Sequence, residues 1–79
     1  MELEIDYDGP VPVYRQLVNA IKAGIESGEF EPGRPIPSVA RLQQETGLAR
    51  GTILKAVAAL EAEGLVEVVQ GRGTYVTRA

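Results

Sequence analysis

Ser38-Val39-Ala40-Arg41-Leu42-Gln43-Gln44-Glu45-Thr46-Gly47-Leu48-Ala49-Arg50 is the stretch whose reading decides the fold. Pro37 precedes it and biases its own predecessor toward extended backbone, so a helix has a clean place to begin. Ser38 is placed to cap that helix by accepting a hydrogen bond from an early backbone N–H. Arg41 stands three residues later, where Glu or Gln would complete a capping box, so the full box is absent. Gly47-Leu48-Ala49 reads as a tight turn, and Arg50 to Glu63 as a longer helix stopped by Gly64. Within it Ile53, Ala56, Val57 and Leu60 keep the i, i+3, i+4, i+7 spacing of a core stripe, and small Ala56 lets another helix come close. Leu65 to Gln70 and Thr74 to Arg78 then alternate like two strands around a Gly71-Arg72-Gly73 tip, with Val66 and Val68 on one face. Helix, turn, helix and hairpin in that order predict an α+β winged helix-turn-helix, an arrangement suited to laying one helix in a DNA major groove.

Working toward the N-terminus, Tyr14, Leu17, Val18, Ile21 and Ile25 share one face of a helix that Pro12 is able to open. Ser27-Gly28 ends it with a residue that tolerates left-handed backbone. Three prolines and a glycine make Phe30 to Pro37 an ordered loop at most. Leu3, Ile5 and Tyr7 alternate with Glu2, Glu4, Asp6 and Asp8 before Gly9-Pro10. That segment is open between two readings, a frayed tail or a short N-terminal strand pairing with the wing or a second protomer. Tyr14, Leu17, Val18, Ile21, Ile25, Leu42, Ile53, Val57 and Leu60 are read as core. The expected organisation is an N-terminal extended segment over 1–11 and a single winged helix-turn-helix domain over 12–79, without an effector domain.

Composition narrows the chemistry. The 79 residues hold one small domain, and a 44% hydrophobic content suits a globular core. Cysteine and histidine are both missing, which removes disulfides, thiolate metal sites, the usual general base and the commonest zinc ligand. No phosphate-loop signature is present, and Glu2, Glu4, Asp6 and Asp8 read as a solvated strand face. No enzyme, metal or cofactor is expected. Nor does any apolar run approach the length of a membrane span, so no membrane partner is expected and a cytoplasmic location is.

A net charge of −3 opposes binding to a polyanion. Its distribution answers part of that objection. Residues 1–31 carry seven acids against Arg15 and Lys22, a net of −5. Residues 32–79 carry Arg34, Arg41, Arg50, Lys55, Arg72 and Arg78 against four acids, a net of +2. The positive half is the half with the helix-turn-helix pattern, and local field decides where DNA docks.

Six words in order, and a lead-in before them, resemble the N-terminal DNA-binding domain of the GntR family of bacterial transcription regulators. They are Pro12 to Leu17, Ser27 to Gly33, Ile36 to Ser38, Gly47 to Ile53, Leu60 to Val66 and Gln70 to Val76, with the lead-in Ile5-Asp6 most similar to the YtrA-like branch. The resemblance implies a regulator, a repressor or an activator, that binds a palindromic double-stranded operator as a dimer. It places Arg50 and Thr52 at the start of the reading helix, against base or backbone, and Gln70, Gly71, Arg72 and Gly73 at the wing. Ser38 and Arg41 belong to the first helix of the motif, where Arg41 stands in for an arginine the family often carries nearby. No small-molecule effector is expected within the chain.

Three departures stand out. The family usually has Ser or Thr where Ala49 sits, and losing that cap costs about 1 kcal/mol. A further arginine is common at the position of Leu54, and Val39-Ala40 replaces a frequent Glu-Arg. Weaker binding than typical, or a different operator, is the expectation. Around the reading helix some roles stay open: Lys55 as phosphate contact or surface lysine, Leu54 as stray apolar side chain or partner of a thymine methyl, Gly51 as close approach to DNA or drift. The competing class is a protein-interaction module with weak DNA affinity that pairs with a longer regulator through its acidic first third.

Overall fold

The computed structural model describes residues 3–78 of the chain. Met1, Glu2 and Ala79 lie outside it, and with them the Glu2 position of the expected strand. Three helices, α1 (Val13–Ser27), α2 (Val39–Thr46) and α3 (Arg50–Ala62), precede two strands, β1 (Val66–Val69) and β2 (Gly73–Val76). The three expected helices and the hairpin are present, with the strands shorter than the alternation implied.

The core is one cluster. Leu17, Val18 and Ile21 of α1 meet Leu42 of α2, Ile53, Ala56, Val57 and Leu60 of α3, and Val66 and Val76 of the hairpin. Ala56 is fully buried where α1 and α3 pack, as its small size suggests. Tyr14 and Ile25, read as core, are only half-buried at its margin, and Val68 is exposed although it shares a face with Val66. The hairpin extends past the core, so Val68 has no layer to pack beneath.

Between α2 and α3 the chain reverses at Gly47, whose φ of 74° is left-handed and whose N–H donates to the Gln43 carbonyl. A side chain there would strain the turn that sets the angle between the two helices. Strands β1 and β2 pair antiparallel from Val66↔Val76 to Val69↔Gly73. The tip closes with the Arg72 N–H on the Val69 carbonyl, and Gly71 at φ 74° supplies the positive φ of a type II turn.

Two segments differ from their sequence reading. The proline-rich loop supplies a short third run to the sheet: the Gly33 N–H donates to the Val76 carbonyl, the Val76 N–H to Arg34 and the Ile36 N–H to Thr74, with an antiparallel bridge Pro35↔Tyr75. Ile36 and Phe30 are thereby buried in the core. Among the described residues the N-terminal strand does not form. Leu3 and Ile5 pack against the core as their alternation requires, but Tyr7 is exposed and no strand pairs with them. The Gln16 side chain takes that strand's place, accepting from the Asp6 N–H at 2.8 Å and donating to the Asp6 and Val11 carbonyls at 2.7 and 2.9 Å.

Candidate nucleic-acid interface

Helix α3 is buried on one side by Ile53, Ala56, Val57 and Leu60, leaving Gly51, Leu54, Lys55 and Ala58 on the open side. Its N-terminus is also open. Ala49 has the extended backbone of a cap residue, φ −67° and ψ 150°, but no side-chain oxygen to fill that role. The Thr52 and Ile53 N–H groups both reach back to the Ala49 carbonyl, so the orphan donors are those at the very start of the helix. Arg50 and Gly51 are exposed there, and Thr52 is half-buried. A Cβ built on Gly51 would meet nothing within 4 Å, so nothing among the described residues accounts for the glycine.

Other expected contacts are partly engaged. The Ser38 hydroxyl accepts from the Arg41 N–H at 3.1 Å, which makes it the cap of α2. Arg41 in turn donates its Nε–H to Glu45 at 2.8 Å, one turn away on α2. The Arg41 hydrogen bond holds the Glu45 carboxyl below its ordinary pKa. Both residues are exposed, and the Arg41 side chain remains 71% exposed while so engaged. Lys55 lies with Nζ 4.3 Å from the centre of the Tyr14 ring, a cation–π contact between α3 and α1. Arg15 approaches the same ring at 5.5 Å. Tyr14 thus packs against the core with part of its ring and meets Lys55 with the rest, a pairing that no sequence signal shows.

At the wing Gln70, Gly71, Arg72 and Gly73 are all exposed on the hairpin that follows α3. Around the hairpin's outer face Arg72, Tyr75, Glu67 and Arg78 line an open groove, and the Arg78 guanidinium lies across Gly33. Arg78 was not among the expected site residues; its place follows from the pairing of residues 33–36 with β2.

The acids of α3 and its C-cap are turned to structural use. Glu61 accepts from the Val68 N–H at 3.3 Å, on the free edge of β1. Glu63 pairs with Lys22 at 3.0 Å and Arg15 at 3.4 Å, and chiefly the Lys22 hydrogen bond lowers its pKa. No helix among the described residues is long and apolar enough to cross a membrane.

Comparison with known proteins agrees with this geometry. The pattern described as "Bacterial regulatory proteins, gntR family" matches residues 13–76. The HTH-type transcriptional repressor NagR of Bacillus subtilis (strain 168) is 34% identical over 76 residues, covering 96% of this chain. The chain spans 31% of the length of NagR. Among solved structures, AraR(DBD) in complex with operator ORX1 superposes with a TM-score of 0.87 at 36% identity, over 98% of this chain and 99% of that one. YtrA from Sulfolobus acidocaldarius, a GntR-family transcription factor, gives a TM-score of 0.89 at 33% identity, over 100% of this chain and 83% of that one. The fold is a winged helix, and the chain belongs to the gntR family of bacterial regulatory proteins.

Proposed function

We propose that this chain is the DNA-reading unit of a sequence-specific transcription regulator, a repressor, with α3 in the major groove and the Gln70–Gly73 tip at the adjacent minor groove. The observation that carries the reading is the open N-terminal half of α3. It presents Arg50, Thr52 and Lys55 beside unpaired backbone N–H groups, a place where phosphate is favoured. The solved complex of the similar AraR(DBD) with its operator supports the same use of the fold. Arg72 at the wing tip adds a cation, while Glu61 and Glu63 are held against β1 and α1. Ser38 and Arg41, at the start of α2, contribute backbone phosphate contacts.

One copy carries one reading helix, α3, and so reads one half-site, since half-sites on one face of a duplex repeat about every 34 Å. A palindromic operator takes two copies, which associate on the DNA. On this reading the domain over 12–79 acts in the bacterial cytoplasm, on the nucleoid when bound, and no effector binds within it.

The test is fluorescence anisotropy with a labelled duplex at low salt. Arg50→Glu is expected to abolish binding and Glu4→Gln to leave it within about twofold, because Glu4 lies on the N-terminal segment. An Arg50→Glu protein that holds DNA as tightly as wild type overturns the assignment of α3.

A further inference from the structure

Leu54 is a large aliphatic side chain left 44% exposed on the open side of α3, in the second turn of the helix. Its neighbours on that side, Gly51 and Ala58, are one turn away on either flank and are too small to cover it. A surface helix ordinarily puts polar residues on such a face. Here Arg50 stands one turn before Leu54 on the same side, and Lys55 beside it is drawn toward the Tyr14 ring of α1. The middle of the open side of α3 is therefore an apolar patch, Gly51, Leu54 and Ala58, with Arg50 at its N-terminal end and Lys55 beside it.

We infer that Leu54 is a specificity-determining residue that packs against the C5-methyl group of a thymine in each operator half-site. This inference rests on the proposal that α3 enters the major groove. The early turns of such a helix lie nearest the base edges. Of the groups displayed there, the thymine methyl is the one an aliphatic side chain recognises. Gly51 and Ala58 matter by their size, since they let the helix backbone sink far enough for Leu54 to touch a base. The cations next to the patch suit the phosphates that line the groove. Leu54 offers no hydrogen bond to any base edge, so the methyl contact alone separates thymine from the other bases at that position.

The experiment starts from sequences enriched by the chain out of a randomised duplex pool at low salt. Each thymine of the enriched site is then replaced singly by 2′-deoxyuridine, which removes the methyl and nothing else. One thymine per half-site is expected to lose about three- to fivefold in affinity for wild type on that change. Leu54→Ala is expected to show no such loss, and its exposed position leaves folding intact by circular dichroism. Leu54→Gln is expected to move the preference at the same position toward adenine. If every thymine tolerates deoxyuridine equally in wild type and Leu54→Ala while Arg50→Glu still abolishes binding, the role of Leu54 is overturned and the DNA reading stands. If wild type holds no duplex at any salt concentration, both are overturned together.

Discussion

Ser38 and Ala49 occupy equivalent places, each the residue before a helix, with nearly the same backbone: φ −65° and ψ 162° against φ −67° and ψ 150°. One side chain accepts the N–H of the third helical residue at 3.1 Å; the other has no oxygen with which to do so. Ala49→Ser should therefore raise the unfolding free energy by about 1 kcal/mol, read as a higher urea midpoint at unchanged slope. An unchanged or lowered midpoint would contradict the uncapped description of α3. The missing cap was visible in the sequence, because a serine and an alanine in the same role differ by one atom. Less visible were the commitments of the charged residues. Arg41 ties to Glu45 along one helix, a spacing that sequence does show, whereas Lys55 leans on Tyr14 across two helices, which it does not.

Helices α1 and α3 are joined at their ends as well as through the core. Glu63, at the end of α3, faces the helix's negative pole, an unfavourable site for an acid. Lys22 and Arg15 of α1 offset that by pairing with it. Its carboxyl is held below its ordinary range, so the stabilisation is fully present above the unfolded-state pKa and is lost as pH falls through the lowered value. Comparing wild type with Glu63→Gln in urea, the gap in midpoint should be open at neutral pH, close toward acid, and shrink with added salt. A gap that persists at acid pH would place the effect elsewhere than in the ion pair. At this scale the helices were legible because their apolar spacing and stop signals are local. The third run of the sheet was not: Arg34-Pro35-Ile36 is too short to show alternation, and its partner β2 lies forty residues on. The N-terminal segment, open between a tail and a strand, follows neither reading. Its alternation was real, as Leu3 and Ile5 pack inward, but one glutamine side chain supplies the hydrogen bonds expected from a strand.

For the whole molecule the account turns on a chain of net charge −3 binding a polyanion. The described acids of the first third lie on or near α1 and the N-terminal segment, and two acids of the second half are bound to β1 and α1. What remains for DNA is a small set of cations, Arg50, Lys55 and Arg72 foremost, around a helix face that is otherwise apolar. Affinity should accordingly be modest and strongly weakened by salt. Its direct measurement is an amide-shift titration of isotopically labelled protein with a duplex at low salt. The account predicts shifts concentrated at Arg50 to Lys55 and at Gly71 to Gly73, fading as salt rises. Shifts confined to the acidic N-terminal segment, or none at α3 with the fold intact, would contradict it.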